Sequence, residues 1–159
     1  MADPVELERK FWRALRSDQT LMLGAKGSGM AQPMTAQFDE ETGNRIYFFT
    51  AKDTDLARAL DANRSGYAYF AAKDHALFAA IEGALELDND PAVIERLWSP
   101  FVAAWFEGGK DDPKLQLLRF EPEHAQIWLN DHSLFAGFKI LFGRDPKEEY
   151  KDKTADVRL

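Results

Sequence analysis

The sequence predicts a mainly β fold of the α+β class, in which an antiparallel sheet closes or partly closes into a barrel with helices at its periphery. Two observations support this prediction. Short apolar or alternating segments recur along the chain and are joined by brief polar reversals, as in antiparallel strands. Helical patterns do not alternate strictly with these segments, so a doubly wound parallel sheet is not favoured.

The N-terminal half begins with a helix and continues with strands. Asp3 followed by Pro4 is a typical helix start, and the helix is expected to run to about Ser17. Five strands and one further helix follow: Thr20–Lys26, Met30–Phe38, Asn44–Thr50, the helix Thr54–Ala62, Tyr67–Ala72 and His75–Leu87. Pro33 lacks an N–H group and therefore requires an edge strand or a bulge. The length of the last strand implies a bend at Gly83.

The C-terminal half contains two helices that begin with proline, followed by more strands. The predicted helices are Asp90–Trp98 and Ser99–Phe106, and the loop Glu107–Pro113 follows them. The predicted strands are Leu115–Phe120 and Ala125–Leu129. An apolar segment of unassigned type at Leu134–Phe142 and a polar, frayed tail at Asp145–Leu159 complete the chain. Glu121-Pro122-Glu123 is expected to join the last two strands as a turn. The chain has no internal repeat or linker, so we expect a single domain over residues 1–159, with residues 1–10 and 145–159 as peripheral tails.

Composition excludes several classes of function. Twenty Lys and Arg residues against 27 Asp and Glu residues give a net charge of −7, which disfavours nucleic-acid binding. The absence of cysteine rules out disulfides and thiolate sites and agrees with a reducing cytoplasm. The N-terminus lacks the pattern of a signal peptide, and no apolar run is long enough to cross a bilayer. We therefore expect a soluble, cytoplasmic protein without a membrane partner.

Catalytic and metal-binding motifs are absent from the sequence. The three histidines, His75, His124 and His132, do not have the spacing of metal ligands, so no metal site is predicted. The segment EGGKDD fails as a phosphate-binding loop, because Asp111 follows the lysine where Ser or Thr is required. Ser133 next to His132 has no evident third partner for nucleophilic catalysis. The sequence therefore identifies no catalytic residue.

The segment FFTAKDTDLARAL, residues 48–60, marks the change from a strand to a helix. Such a junction has two interpretations. It is a capped turn, with Thr54 or Asp53 supplying the cap, or it is a phosphate site that uses the free N–H groups at the start of the helix. The residues of this segment alone leave both interpretations open.

Three segments resemble the general stress protein branch of the flavoproteins that are similar to pyridoxamine phosphate oxidase. The segments are QPMTAQ (Gln32–Gln37), YFFT (Tyr47–Thr50) and LWSPFVAAWFEGGKDDPKLQLLRFEPEHAQIW (Leu97–Trp128). The likeness covers roughly Phe11–Phe142. It implies an antiparallel six-stranded split β-barrel that forms a homodimer. It also implies that FMN, or FAD or another flavin, binds in a groove between the subunits, with a possible oxidoreductase activity.

The resemblance also assigns candidate flavin-binding residues. The strand Met30–Thr35 is expected beside the flavin ring, the turn Thr50–Asp55 at the phosphate, and Trp105, Phe106 and Lys110 on the wall of the groove nearest the second subunit. The predicted cofactor-binding residues are Gln32, Pro33, Met34, Thr35, Phe48, Phe49, Thr50, Lys52, Thr54, Asp55, Trp105 and Lys110. For Lys52 a solvated turn lysine, and for Trp105 core or interface packing, are the simpler alternatives.

The sequence departs from the family pattern at two positions. Gln32 stands where family members usually carry Arg, and Asp55 stands where they usually carry Lys. Each missing charge-assisted contact costs about 1.5–3 kcal/mol of binding. Asp53 and Asp55 would also repel a phosphate, although Lys52 and Arg58 are close enough in sequence to replace the missing cations.

Two functional hypotheses therefore follow from the sequence. In the first, the protein is a dimeric FMN-binding flavoprotein. In the second, it is a non-catalytic split barrel that has lost tight FMN binding and serves as a ligand sensor or an interaction module. Gln32 and Asp55 are the observations that favour the second hypothesis.

Overall fold

The computed structural model of the protein describes residues 3–130 and 154–159. The helices are α1 (Pro4–Asp18), α2 (Asp55–Ala59), α3 (Pro91–Leu97) and α4 (Pro100–Ala103). The strands are β1 (Thr20–Ala25), β2 (Gln32–Thr35), β3 (Gln37–Phe38), β4 (Ile46–Ala51), β5 (Ser65–Ala71), β6 (Leu77–Leu87), β7 (Leu115–Leu129) and β8 (Thr154–Arg158). Every strand pair is antiparallel. The predicted fold class, a split antiparallel barrel with a few helices, is confirmed.

The sheet nearly closes on itself at Ala36. The strand order is β2-β1-β5-β6-β7-β4-β3, with β8 beside β7, so β2 and β3 form the two ends of the sheet. Only Ala36 separates these two strands in the chain. Ala36 is fully buried, and its backbone N–H donates a 2.6 Å hydrogen bond to the carbonyl of Gln19. The two sheet ends therefore meet in a seam, which we define as residues 32–38.

The strand predicted over Met30–Phe38 is thus two strands, and the prediction of one was wrong. β2 pairs with β1, whereas β3 pairs with β4 on the other side of the seam. Pro33 lies in β2, at the end of the sheet, opposite Met22. The edge position predicted from its missing N–H group is confirmed.

Strand β4 separates two hydrophobic clusters, because neighbouring residues of a strand point to opposite faces. Ile46 and Phe48 belong to the main core inside the barrel, which α1 covers with Phe11 and Leu15. Tyr47 packs on the other face of β4 in a second cluster beneath α3 and α4. The second cluster contains Tyr47, Val93, Ile94, Val102, Phe106, Leu115 and Leu117, with Phe49, Leu97 and Trp98 packed against it.

Helix α1 is part of the core, so the prediction of residues 1–10 as a peripheral tail was wrong over residues 4–10. The carboxylate of Asp3 caps the helix by accepting a hydrogen bond from the N–H of Val5, as the Asp3-Pro4 signal predicted. Leu7 is only 1% exposed and packs in the main core with Phe11. The apolar stripe of α1 therefore begins at Leu7, in its first turn.

The two strands predicted over Leu115–Phe120 and Ala125–Leu129 are one continuous strand, β7. On one side, residues 115–120 of β7 pair with β4 and residues 124–128 pair with β8. Pro122 lies between these two paired segments. Its missing N–H group therefore removes no hydrogen bond to β4 or to β8. On its other side β7 pairs with β6, with a bulge beside Gly83. A Cβ atom on Gly83 would lie 2.2 Å from the carbonyl oxygen of Glu121, which explains the glycine at the predicted bend.

The C-terminal residues form a strand rather than the predicted frayed end. Thr154–Arg158 pairs with β7, and Ala155 and Val157 are buried in the main core. The alternation of buried and exposed residues over these five positions is typical of a strand, but it is too short to be distinctive in sequence. The apolar segment Leu134–Phe142, the pair His132-Ser133 and residues 145–153 lie outside the described residues.

An ion pair with one buried member, Asp39, fastens α3 to the connection between β3 and β4. Asp39 is 4% exposed, and its carboxylate accepts hydrogen bonds from the guanidinium of Arg96 at 2.7–3.1 Å. The same carboxylate accepts a hydrogen bond from the N–H of Glu41 and so caps a short 3-10 turn, Glu40–Thr42. The hydrogen bonds from Arg96 hold the pKa of Asp39 below its ordinary value, despite the opposing effect of burial.

The lowered pKa of Asp39 predicts a specific acid sensitivity. The carboxylate stabilises the fold above the unfolded-state pKa of about 3.9, and this stabilisation is lost as pH falls through the lower folded-state value. We expect Asp39→Asn to be less stable than the unaltered protein at neutral pH, and the difference between them to shrink below about pH 4. Urea unfolding across this pH range, with the exposed Asp61→Asn as the control, measures the effect. A difference that does not change with pH would contradict it.

Candidate functional site

The seam forms one wall of a pocket with a volume of about 250 Å³. We call it the seam pocket, and it is lined by Pro33, Met34, Thr35, Gln37, Phe49, Phe101, Val102, Trp105 and Phe106. The residues at the two sheet ends come from β2 and β3. Phe49 comes from the face of β4 that lies outside the main core, and the remaining residues come from α4 and the turn after it.

Helix α4 presents large aromatic side chains at the rim of the seam pocket. Ser99 begins the helix by accepting a hydrogen bond from the N–H of Val102, with Pro100 in the first turn. Val102 and Phe106 are buried in the second cluster and anchor this segment. Phe101 and Trp105 are 61% and 76% exposed. Two exposed aromatic side chains beside a pocket are unusual for a surface that stays in water, and they indicate a place for a ligand or a partner.

The seam pocket contains no ionisable side chain among the residues that line it. The polar side-chain groups in this lining are the hydroxyl of Thr35, the amide of Gln37 and the indole N–H of Trp105. The aromatic rings of Phe49, Phe101, Trp105 and Phe106 dominate the remainder. Phe49 and Phe106 pack with their ring centroids 6.4 Å apart. A flat, uncharged ring is the kind of group that such a lining accommodates.

The next residues of β4 lead from the seam pocket to the start of α2. We call residues 50–55 the corner. The hydroxyl of Thr54 donates to the carbonyl of Ala51 at 2.9 Å and accepts from the N–H of Ala57 at 3.2 Å. Thr54 is therefore the helix cap, and the capped-turn interpretation is correct in the structure. The hydroxyl of Thr50 lies 3.4 Å from that of Thr54, whose own proton is already directed to Ala51.

The predicted lysines line a second depression of about 470 Å³ rather than the seam pocket. Lys52 is exposed at the corner, and its backbone N–H donates to the carbonyl of Lys114. The ammonium group of Lys110 lies 2.7 Å from the carboxylate of Glu95. Lys110 therefore has an anionic neighbour within the chain, and its charge is partly compensated before any ligand binds.

A neighbouring carboxylate holds the loop that carries Lys110. Asp112 accepts hydrogen bonds from the backbone N–H groups of Gly108 and Lys114, and these bonds lower the pKa of its carboxyl group. Asp112 also lines the second depression. The depression thus combines lysines with carboxylates, so it does not present a purely cationic surface to an anion.

The structure groups the residues predicted from the sequence into three sets. Five of them line the seam pocket: Pro33, Met34, Thr35, Phe49 and Trp105. Four lie at the corner: Thr50, Lys52, Thr54 and Asp55. The remaining three, Gln32, Phe48 and Lys110, do not line the seam pocket.

Phe48 requires a correction. Its side chain is 0% exposed within the main core, on the face of β4 opposite to Phe49, and it cannot contact a ligand in the seam pocket. The run of apolar residues in β4 concealed this difference, because both faces of the strand are covered. Sequence reasoning also missed Gln37, Phe101 and Val102. The spacing of four residues between Phe101 and Trp105 is a helical signal, although α4 ends at Ala103 and Trp105 lies in the turn after it.

The described residues provide no evident metal site. Within residues 3–130 and 154–159, no three or more His, Asp or Glu side chains are grouped so that they could hold a metal ion. Over the same part of the chain, no helix has the length and apolar character needed to cross a membrane.

A nearly closed antiparallel barrel with an aromatic pocket at its seam defines the split-barrel class. Comparison with known families agrees with this assignment and makes it more specific. Residues 6–150 match the family described as pyridoxamine 5'-phosphate oxidase like. The chain belongs to this family.

Three relatives show where in the family the chain lies. General stress protein 26 of Bacillus subtilis is 30% identical over 107 residues, which are 64% of this chain and 72% of the relative. A solved general stress family protein of Xanthomonas campestris is 57% identical, with a TM-score of 0.76 over 84% of this chain and 94% of the relative. A general stress FMN/FAD binding protein of Xanthomonas citri is 54% identical, with a TM-score of 0.75 over 81% and 92%. The likeness to general stress proteins inferred from the sequence is confirmed.

Proposed function

We propose that this protein is a flavin-binding stress protein that takes up FMN and, with lower preference, FAD or another flavin. The flavin ring would occupy the seam pocket, and the phosphate would lie at the corner. The main support for this proposal is the path of the backbone along β4. Phe49 lines the seam pocket, and Lys52 follows three residues later, just past the end of β4 and no more than about 10 Å away along the backbone. This distance suits a ligand with a flat ring at one end and an anionic group on a flexible chain.

The residues of the seam pocket fit the ring of a flavin. Trp105 and Phe101 offer flat apolar surfaces at its rim, and Phe49 and Phe106 lie deeper. The backbone of β2, the end strand of the sheet, has hydrogen-bonding groups that no further strand uses. Such groups, together with the amide of Gln37, suit the polar edge of the ring. The Xanthomonas citri relative, described as an FMN/FAD binding protein, supports the same ligand class.

The corner fits a phosphate less well than the seam pocket fits a ring. The hydroxyl of Thr50 can donate to a phosphate in exchange for its long, 3.4 Å hydrogen bond to Thr54, and Lys52 is exposed beside it. Asp53 and Asp55 are exposed at the same corner and oppose an anion. We therefore assign the phosphate contacts to Thr50 and Lys52, and expect the ring to contribute most of the affinity.

We also propose that the protein is a homodimer in which the second subunit completes the flavin groove. The rim residues Phe101 and Trp105 are exposed in the single chain, as are Met22 and Tyr69, which are direct cross-strand neighbours on β1 and β5. Exposed apolar surface of this kind supports burial against another copy. Light scattering that gives the mass of a single chain, with and without FMN, would contradict the dimer.

A bound flavin would supply hydride and electron transfer, so the proposed activity is that of a cytoplasmic oxidoreductase. The described side chains of the seam pocket bind and orient the ring and exclude water. They include no acid or base, so they provide no proton-transfer group for a substrate. The identity of the substrate therefore depends on groups beyond this lining.

The visible spectrum of the purified protein tests flavin binding directly. Absorption bands near about 370 and 450 nm, which are typical of oxidised flavin, are expected after FMN is added and unbound ligand is removed. Titration of FMN fluorescence should show saturable quenching. A colourless protein without saturable quenching would contradict the proposal.

We expect Lys52→Glu to weaken the binding of FMN much more than the binding of riboflavin, which lacks the phosphate. The substitution replaces an attractive charge with a repulsive one, and each charge-assisted contact is worth about 1.5–3 kcal/mol, or at least tenfold in affinity. Fluorescence titration with both flavins measures this difference. Lys73→Glu, which makes the same change of charge in the turn between β5 and β6, is the control. Equal losses for both flavins would reject the role of Lys52.

A second candidate function is a non-catalytic ligand sensor or interaction module that no longer binds FMN tightly. The acidic corner, the neutral Gln32 and the compensated charge of Lys110 favour this candidate. The two candidate functions differ in the expected affinity for FMN. In the ligand sensor or interaction module, the affinity for FMN would remain weak even in the variant Gln32→Arg. Tight binding of FMN by Gln32→Arg would instead favour a flavoprotein with a modified phosphate site.

A further inference from the structure

We infer that the seam pocket binds the oxidised form of a flavin more tightly than the reduced form, and so lowers the reduction potential of the flavin it holds. This inference rests on the proposed function. The inference concerns the charge of the residues that line the seam pocket rather than their shape. It states that the pocket prefers one of the two redox states of its ligand.

The lining of the seam pocket is neutral at every described position. Its side chains are those of Pro, Met, Thr, Gln, Val, Phe and Trp residues, without any Lys, Arg or His. Among the cations close to it in sequence, Lys52 and Lys110 line the second depression instead. Arg45 is paired with Glu121, and Arg96 is paired with Asp39 and Glu41. Lys110 is also paired with Glu95. A negative charge that develops on a ring in the seam pocket would therefore meet no cation from this lining.

Reduction of the flavin near neutral pH adds a negative charge to the ring. Two electrons and one proton enter the ring, and the second proton remains in the solvent. With dithionite as reductant, the electrons come from its oxidation to sulfite, and water supplies the proton. A charge placed in a largely apolar site is penalised because it loses solvation without gaining a partner of opposite charge. The neutral oxidised ring carries no such penalty.

The charge of the whole protein acts in the same direction. The chain carries a net charge of −7, and Asp53 and Asp55 are exposed at the corner, near the proposed position of the phosphate. Long-range repulsion from these groups disfavours a second anion on the same ligand. The local lining and the overall charge therefore both favour the oxidised form.

The inference predicts at least tenfold weaker binding of reduced FMN than of oxidised FMN. For a two-electron couple this ratio corresponds to a potential about 30 mV below that of free FMN in the same buffer. The effect should be smaller at about pH 5.5 than at about pH 8, because the reduced ring takes up its second proton in acid and becomes neutral.

The experiment compares the affinity of the full-length protein for oxidised FMN with its affinity for FMN reduced by dithionite under anaerobic conditions. The potential of the bound flavin is measured separately against a reference dye. Gln37 provides matched variants, since it is half-buried in the lining. Gln37→Lys should raise the potential, and Gln37→Glu should lower it further.

The possible outcomes separate this inference from the proposed function. If the protein binds oxidised FMN and the potential equals or exceeds that of free FMN, the inference is overturned while the flavin-binding proposal stands. If neither form of FMN binds, both are overturned. A lowered potential that shows no dependence on pH and no response to Gln37→Lys would also overturn the inference, since charge would not be its cause.

Discussion

Phe48→Ala is expected to reduce the free energy of unfolding by about 3–5 kcal/mol, the cost of removing a phenylalanine side chain from a packed core. The side chain of Phe48 is completely buried in the main core, where the surrounding residues come from several strands and from α1. A cavity at this position cannot be filled by a movement of one element alone. Urea unfolding followed by circular dichroism measures the loss.

Phe49→Ala is the matched control for this prediction. Phe49 is half-buried at the edge of the second cluster and lines the seam pocket. Its removal should cost less stability and should mainly weaken flavin binding. The opposite pattern, with Phe48→Ala stable and deficient in flavin binding, would mean that the two faces of β4 are exchanged relative to the structure.

Trp105→Ala is expected to weaken FMN binding about 30-fold, which corresponds to about 2 kcal/mol, and to change stability by less than about 0.5 kcal/mol. Trp105 is 76% exposed at the rim of the seam pocket, so it contributes little to the fold but offers the largest flat surface in the lining. Fluorescence titration and urea unfolding of the same preparation measure the two effects.

Two further variants separate stacking from a general loss of apolar surface. Trp105→Phe keeps an aromatic ring and should recover most of the affinity. Met30→Ala removes a side chain that is 93% exposed and does not line the seam pocket, so it should leave the affinity unchanged. If Trp105→Ala binds FMN as tightly as the unaltered protein, the flavin ring does not contact Trp105.

The features predicted correctly from the sequence are those that depend on neighbouring residues. Asp3 and Ser99 cap their helices, because a short polar side chain before Pro satisfies free N–H groups whatever the rest of the fold is. Pro33 at a sheet end and Gly83 at a bulge follow from equally local constraints on the backbone. Such signals are readable because their physical cause lies within a few residues.

The features missed from the sequence depend on residues that are distant in the chain. Asp39 and Arg96 form an ion pair across 57 positions, and neither residue is distinctive in its own segment. The seam exists because β2 and β3 find different partners, a choice set by the whole sheet rather than by the residues around Ala36. Pro122 was interpreted as a turn because the two successive partners of β7 cannot be inferred from its own segment.

The candidate site was predictable in part for the same reason. Pro33, Met34, Thr35 and Trp105 were identified through the resemblance to the family, and the structure brings them together around one pocket. The opposite directions of Phe48 and Phe49 could not be read from an apolar run that is covered on both faces. The pairing of Lys110 with Glu95 likewise depends on the packing of two separate segments.

The single residue between β2 and β3 limits how a ligand can reach the seam pocket. Because Thr35 and Gln37 are joined through Ala36, their Cα atoms can never be more than about 7 Å apart, and the barrel wall cannot part at this point to admit a bulky molecule. The exposed rings of Phe101 and Trp105 instead border the seam pocket on the side of α4 and the turn after it. The rate of release should therefore be governed by how readily these two rings swing aside.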